Sequence, residues 1–143
     1  MKRVFKWVFR VVLALLALIQ LVPYGRDRAT HPDGKEPDWD SPRTRELALR
    51  ACFDCHSNLT HWPWYTWIAP ASWLVQHDVD EGREHLDFTQ FDKRQRNAGE
   101  CADQVRSGEM PLWQYELMHP RARLSDAERD ELADGLERMF GGD

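Results

Sequence analysis

The first 26 residues of this 143-residue chain contain no acidic residue, although five basic residues lie among them. This charge bias disfavours a helix buried in a protein core at the start of the chain. The chain also lacks internal repeats and any segment in which apolar and polar residues alternate. These two absences argue against a repeat protein and against a β-sheet fold, and the length leaves room for one main domain.

Cysteine is scarce as well, with three residues in the whole chain. There is no second C-x-x-C pair and no closely spaced third and fourth ligand, as a structural zinc site would need. The βαβ context expected of a redox-active dithiol is missing too. What the chain does contain is Cys52-Phe53-Asp54-Cys55-His56, a C-x-x-C-H motif, which is typical of the attachment of a c-type haem.

The spacing of this motif indicates how a haem would be attached to the chain. The thiols of Cys52 and Cys55 can each add to a vinyl group of the porphyrin, and the imidazole of His56 then serves as the proximal iron ligand. The motif therefore predicts one covalently bound haem c. Cys101 is left over, and we interpret it as a buried or unpaired thiol, with an intermolecular disulfide as the alternative.

The N-terminal segment resembles an export signal, because basic residues precede the apolar run Val11–Ile19. Counted from Val4 to Val22, the apolar stretch has 19 residues, close to the roughly 20 that span a bilayer if its bases snorkel to the interface. Since Gln20–Arg28 offers no convincing cleavage site, we favour an uncleaved signal anchor over residues 1–23. The positive N-terminus would lie in the cytoplasm, which predicts a single-pass protein of the bacterial inner membrane with its C-terminal domain in the periplasm.

The charge of the remaining chain limits its partners. The formal net charge is −5, and since the first 26 residues contribute +5, the rest carries −10. Such an acidic domain argues against nucleic acid as a partner. It is compatible with docking to a basic patch on a periplasmic or membrane redox protein.

Local signals divide the chain into three parts. Residues 24–41 are rich in proline and charge and are predicted to be a flexible tether, and residues 42–140 to be the main domain. Ser41-Pro42 is typical of a helix start, and we expect a short helix from Pro42 into Cys52. Further helices are expected over Ala71–Arg83 and Asn97–Ser107, the latter stopped by Gly108.

A last helix is expected to begin at the capping box S-x-x-E of Ser125 and Glu128 and to continue through Phe140. No segment has the pattern of a strand. The predicted fold class is therefore all-α, with one transmembrane helix at the N-terminus.

The sixth iron ligand would decide what a bound haem can do. Met110, in the loop Gly-Glu-Met-Pro before the last helix, is the favoured candidate, His77 is the runner-up, and Met118 is a third. His61 lies too close in sequence to His56 to reach the opposite haem face. A filled sixth position would make the protein an electron carrier, whereas an open one would suit a haem-based sensor or a peroxidase-like protein, with His77 and Asp78 as the acid–base pair.

In its order of elements the chain resembles the class I cytochrome c fold, and more narrowly the family of small bacterial haem-binding-domain proteins. The resemblance covers roughly residues 42–140. The segments that carry it are Cys-Phe-Asp-Cys-His-Ser-Asn (52–58), Trp-Pro-Trp-Tyr (62–65), Ile-Ala-Pro-Ala-Ser-Trp-Leu (68–74), Glu-Gly-Arg (81–83), Gly-Glu-Met-Pro (108–111) and His-Pro (119–120). The resemblance implies covalent haem c, an N-terminal membrane segment and exposure to the periplasm, but no settled partner or reaction.

The remaining polar and aromatic residues have simpler interpretations. The aromatic run from Trp62 to Trp67 is expected to form the apolar wall of a haem pocket, or less readily a path for electrons. Arg83 could pair with a haem propionate or make an ordinary surface ion pair. Tyr115 and Trp113 could hydrogen-bond a propionate or simply pack. Three acidic residues are expected on a solvated helix face: Glu81, Glu84 and Asp87.

The sequence as a whole predicts a membrane-anchored, class I cytochrome c-like monohaem protein that passes single electrons and is not itself a catalyst. Its haem ligands would be His56 and Met110, and its thioether anchors Cys52 and Cys55.

Overall fold

The computed structural model describes residues 1–28 and 34–141, and these two ranges contain helices and no β-strand. The prediction of an all-helical chain is thereby confirmed for them. The α-helices are α1 (Lys2–Ile19), α2 (Pro42–Ala51), α3 (Ala71–His85), α4 (Cys101–Ser107), α5 (Trp113–Met118) and α6 (Asp126–Phe140). Short 3₁₀ turns occur at Trp64–Trp67, Ala98–Glu100 and Pro120–Ala122.

The described residues form two compact units. The first unit comprises residues 1–28 and 62–78, and the second comprises residues 34–61 and 79–141. The helix α3 begins in the first unit and ends in the second. The predicted boundaries of anchor, tether and domain are not tested by this division, and residues 29–33 of the predicted tether lie outside the described residues.

Two helix starts that the sequence predicted, at Ser41-Pro42 and at Ser125, are confirmed. The hydroxyl of Ser41 accepts a hydrogen bond of 3.1 Å from the backbone N–H of Thr44, and Pro42 occupies the first helical position of α2. At the start of α6, the Ser125 hydroxyl accepts from the N–H of Glu128 at 3.3 Å, and the Glu128 carboxylate accepts from the N–H of Ser125 at 3.0 Å. Each cap satisfies backbone donors that have no partner inside the helix.

The middle of the chain departs from the prediction in detail. Gly108 stops α4 as expected, with a positive φ of 79° that glycine adopts without steric cost. The helix predicted over Asn97–Ser107 consists of a 3₁₀ turn followed by the shorter α4. The helix α5 was not predicted at all, because its six residues have no side-chain cap that would mark a start.

The second unit has an apolar core built from one face each of α2, α4 and α6. Its fully buried side chains include Leu47 of α2 and Leu132 of α6, both 0 % exposed. The aromatic rings of Phe53 and Phe88 lie in the same cluster, with centroids 5.5 Å apart and planes inclined by 11°. Burying one such side chain contributes about 1.5–3 kcal/mol, so this cluster is the main source of stability in the unit.

Polar contacts hold the first unit together. The amide group of Gln20 donates to the carbonyl of Ala69 at 2.9 Å and accepts from its N–H at 3.0 Å. The guanidinium of Arg28 lies over two indole rings, 4.3 Å from the centroid of Trp62 and 3.9 Å from that of Trp67. None of the residues of α1 is buried.

The predicted fold class is wrong in its transmembrane helix. None of the helices in the described ranges is both long enough and apolar enough to cross a membrane. The helix α1 contains four basic residues, Lys2, Arg3, Lys6 and Arg10. The stretch from Val4 to Val22 that was expected to span a membrane includes two of them and continues past the end of the helix.

The same finding overturns the predicted localisation. A single-pass inner-membrane protein with a periplasmic domain requires a spanning segment, and α1, which was expected to supply it, is not one. The prediction of a class I cytochrome c-like domain behind one transmembrane helix is therefore wrong as stated. What the structure shows is an all-helical chain with an apolar core in its second unit.

Candidate functional site

The C-x-x-C-H motif forms a tight turn directly after α2. The N–H of Cys52 donates to the carbonyl of Ala48 at 2.8 Å and so closes the helix. The carbonyl of Cys52 then accepts from the N–H of Cys55 at 3.2 Å and from that of His56 at 2.9 Å. The backbone thus draws both cysteines and the histidine into one compact segment, which we call the attachment loop (residues 52–60).

Phe53 fixes this loop to the core of the second unit. Its side chain is 2 % exposed and stacks on Phe88, and the N–H of Phe88 donates to the carbonyl of His56 at 2.8 Å. Phe53, one of the two residues between the cysteines, therefore packs in the core. Phe88, on which it stacks, holds the carbonyl of His56 at the end of the motif. A loop anchored in this way loses little further freedom when it binds a ligand.

His56 is held by its side chain as well. Its Nδ1 lies 2.9 Å from the carbonyl oxygen of Gly82 and 3.0 Å from that of Leu86. Both partners are acceptors, so Nδ1 carries the proton and Nε2 keeps the lone pair. Burial is the main cause that lowers the pKa of His56, although the two carbonyls oppose it, and the ring is therefore held neutral.

The three cysteines, all within the described residues, are present as thiols. Burial raises the pKa of Cys52 to about 12, with a smaller contribution from the nearby Cys101 and Cys55. Burial also raises the pKa of Cys101 to about 12, and this side chain packs against the core of the second unit. Cys52 and Cys101 are thus protonated thiols at neutral pH, and the alternatives for Cys101 remain predictions.

Residues after His56 are pinned by Arg83 and Thr89. The Nε of Arg83 donates to the carbonyl of Ser57 at 2.9 Å, and its Nη2 donates to the hydroxyl of Thr60 at 3.0 Å. The N–H of Asn58 donates to the hydroxyl of Thr89 at 2.8 Å. These contacts extend the ordered part of the loop four residues beyond the histidine.

Asp87 does not lie on a solvated helix face, as the sequence had predicted. It follows the end of α3, is 5 % exposed, and accepts hydrogen bonds from the N–H and the hydroxyl of Thr89 at 2.8 and 2.6 Å. Asp87 therefore orients the hydroxyl that holds the attachment loop. Glu81 and Glu84 are exposed, as expected.

Asp54, the other residue between the cysteines, connects the loop to α5. Its carboxylate accepts from the hydroxyl of Tyr115 at 2.6 Å and from the N–H of His61 at 2.9 Å. Burial is the main cause that raises the pKa of Tyr115, and the hydrogen bond to Asp54 adds to it. The ring of Tyr115 stacks on that of His119 at 4.1 Å. Tyr115 thus has a protein partner of its own, an arrangement that the sequence did not predict.

The candidates for the sixth iron ligand occupy different surroundings. Met110 is partly buried, packs against the same apolar cluster as Cys52, and is held by a 3.0 Å hydrogen bond from its N–H to the carbonyl of Gln104. Met118 is 53 % exposed at the end of α5, and His61 is exposed as well. His77 is an exposed residue of the first unit.

The predicted aromatic wall stays a prediction. Trp62, Trp64 and Trp67 belong to the first unit, where Trp64 is exposed and the other two lie against Arg28. Trp113, in the second unit, is 75 % exposed, so it is not packed in a core.

Sequence reasoning missed the partners that orient His56 and Asp54. Gly82 and Leu86 supply backbone carbonyls, which leave no trace in the residue pattern. The one available signal was the glycine itself, since glycine inside a helix is unfavourable and usually has a packing reason. Tyr115 could not have been paired with Asp54, because 61 residues separate them.

A comparison with protein families shows which kind of domain the chain resembles. The family model described as a haem-binding domain matches residues 14–138 of the chain, well over half of its length. This match confirms the resemblance to the haem-binding-domain family. Neither the curated proteins nor the solved structures contain a match to the chain.

Proposed function

Because this chain belongs to the haem-binding domain family, we propose that it binds one haem c covalently and exchanges single electrons with redox proteins. Cys52 and Cys55 form the thioether bonds, His56 is the proximal iron ligand, and Met110 is the distal one. When bound, the haem supplies an iron that cycles between the ferric and ferrous states.

The observation that carries this proposal is the orientation of His56. Two carbonyls hold the proton on Nδ1, at 2.9 and 3.0 Å, so the lone pair of Nε2 is set for a metal before any metal arrives. Histidines that bind metals are commonly oriented by such a hydrogen bond from the second ring nitrogen. The buried, neutral state of the ring also removes competition from a proton for the same lone pair.

The cysteines fit the covalent part of the proposal. Each thiol would hold the haem through a thioether bond formed by addition of its S–H across one vinyl C=C bond, so no oxidant or reductant would be consumed. The two residues between the cysteines hold them in position. Phe53 packs into the core, and Asp54 accepts a hydrogen bond from Tyr115.

The support for Met110 is its position in the second unit. It follows the glycine stop of α4, is fixed through its backbone N–H, and packs against the apolar cluster on which Cys52 also packs. A thioether is a soft, uncharged ligand that favours ferrous iron, so His/Met ligation implies a comparatively positive potential. The protein's own work is then to keep both ligands fixed in both oxidation states.

The covalent part of the proposal is tested by protein made in a host competent for cytochrome c maturation. We expect the denatured wild-type protein to retain haem on a stained gel and to gain the mass of one haem. The variants Cys52→Ala and Cys55→Ala should each lose one thioether bond, and the double variant should lose all covalent haem. Cys101→Ala is the matched control and should retain it. Wild-type protein at the bare polypeptide mass would refute covalent attachment.

The distal ligand is tested by visible absorption of the oxidised protein. We expect a weak band at the far-red edge of the visible spectrum, which Met110→Ala removes and the exposed-methionine control Met118→Ala leaves in place. A high-spin spectrum in the wild-type protein, together with ready binding of carbon monoxide, would refute Met110 as ligand and favour a haem-based sensor. Turnover of peroxide would instead favour the peroxidase-like alternative.

A further inference from the structure

Gly82 lies where α3 comes closest to the attachment loop. A Cβ atom added to it would lie 2.7 Å from the carbonyl oxygen of Cys55 and 3.2 Å from its Cβ. Contacts under 3.0 Å do not occur for real Cβ atoms, so any other residue at this position would push the helix and the loop apart. Since glycine is a poor helix former, its place in the interior of α3 is explained by this approach.

The approach is what brings the carbonyls of α3 to His56. The oxygens of Gly82 and Leu86 lie near the C-terminal end of α3, where the negative end of the helix dipole is located, and that of Gly82 also accepts from the N–H of Leu86 at 2.9 Å. A donor there is bound more strongly than by an isolated carbonyl. The Nδ1–H of His56 is shared between the two, and a helix displaced by a side chain at residue 82 would lose both contacts.

Arg83 holds the part of the attachment loop that follows the same histidine. Its guanidinium spans two acceptors of the loop, the carbonyl of Ser57 and the hydroxyl of Thr60, at 2.9 and 3.0 Å. A lysine at this position would carry the charge but has one nitrogen and no planar fork, so it would not reproduce both bonds. Consecutive residues of α3 therefore hold the loop through its histidine ring and through the backbone that follows.

We propose that Gly82 and Arg83 are positioning residues that fix the tautomer and the orientation of His56 and thereby set how strongly its Nε2 donates to a bound iron. This inference rests on the proposed function, since it assigns a role at the same site. It gives the Glu81-Gly82-Arg83 segment a function that needs no contact with the haem. Hydrogen bonding of the second ring nitrogen makes the imidazole a better electron donor, which favours ferric iron.

The test compares Gly82→Ala with the control Gly99→Ala in full-length protein with haem attached. An added Cβ at Gly99 would meet nothing closer than 3.6 Å, so this control inserts the same methyl group without a clash. In Gly82→Ala we expect the Nδ1–H proton of His56 in the ferrous protein to exchange with solvent at least about tenfold faster by NMR. We also expect a higher reduction potential, by about 59 mV if the ferric–ferrous equilibrium changes tenfold.

A second pair of variants keeps the inference falsifiable if Gly82→Ala does not accumulate. Arg83→Lys should change the exchange rate and the potential in the same direction by a smaller factor. Arg96→Lys, which alters an exposed ion pair with Glu84, should leave both at the wild-type value. Wild-type values in Gly82→Ala, or in Arg83→Lys when it alone is obtained, would overturn the inference.

The failure of this inference differs from the failure of the proposed function. Wild-type protein without covalent haem would overturn both. Wild-type protein that carries haem, combined with variants whose Nδ1–H exchange and potential do not change, would overturn the positioning role alone.

Discussion

The two units of this chain use their aromatic residues in opposite ways. Five of the seven tryptophans lie in the first unit, and none of them is buried. Four of the six phenylalanines lie in the second unit, where they stack in and against the core. Of the buried apolar residues in the described ranges, only Ala69 belongs to the first unit.

This difference shows that the apolar composition of a segment does not by itself predict whether the segment forms a buried core. The first unit is as rich in large apolar side chains as the second, yet these side chains are exposed or only partly buried. Its contacts include the amide bridge from Gln20 and the cation–π contacts of Arg28. The second unit buries its rings and places the attachment loop on them. A rigid support of this kind is what a site with fixed geometry requires.

The largest effect is expected from Phe88→Ala in the second unit. Phe88 is 1 % exposed and contacts the rings of Phe53, Trp39 and Phe91, with centroids 5.3–6.3 Å away. Removing a buried phenylalanine ring costs about 3–5 kcal/mol of the free energy of unfolding. Urea unfolding followed by far-UV circular dichroism measures it.

The matched change in the first unit is Trp64→Ala. Trp64 is 74 % exposed, and truncating an exposed side chain changes stability by about 0.5 kcal/mol or less. If the two variants lost a comparable free energy of unfolding, aromatic rings would stabilise both units alike, which would contradict the comparison.

An intermediate effect is expected from Arg28→Lys in the first unit. The lysine retains the charge but not the planar group that lies over Trp62 and Trp67, so the variant should lose about 1–1.5 kcal/mol of local stability. Protection of the Thr66 and Ile68 amides from hydrogen exchange should fall about tenfold. The stability of the second unit should not change.

The control for this variant is Arg26→Lys. Arg26 is exposed and binds the backbone carbonyl of Gln20, without a ring contact in the described ranges. If both variants reduced amide protection equally, the stacking of Arg28 on the indoles would not be the stabilising contact.

The comparison also explains which parts of the fold were predictable. Helix starts at Ser41 and Ser125 and the stop at Gly108 were predicted correctly, because each depends on residues within one turn. The span assigned to residues 1–23 was wrong, because the apolar count included Lys6 and Arg10 and continued past the end of α1. A short helix without a cap, α5, left no local signal.

The position of the candidate site could be predicted from the sequence, whereas the contacts that support it could not. The motif of Cys52, Cys55 and His56 predicts covalent haem attachment, because that chemistry needs those residue types at that spacing, and this stays a prediction. The partners of His56 are 26 and 30 residues away and act through backbone oxygens. Such contacts arise from tertiary packing, so no pattern within a window of sequence contains them.

The smallest effect is expected from Glu128→Gln, which tests how the stability of the second unit depends on pH. Hydrogen bonds from Arg50, and then from the N–H of Ser125, lower the pKa of Glu128 to about 2 from its usual 4.5. A carboxyl whose pKa is lowered by folding adds stability that is fully present above pH 4.5 and is lost as the pH falls through 2. The melting temperature of the variant should therefore lie below that of the wild type at pH 5–8, and the difference should shrink from pH 4.5 and vanish near pH 2.

Glu131→Gln, at a carboxylate 48 % exposed, is the control and should show a smaller difference in melting temperature at neutral pH. If the difference for Glu128→Gln did not depend on pH, the charge of Glu128 would not stabilise the fold. If amide protection over residues 62–78 changed in parallel, the two units would not respond independently.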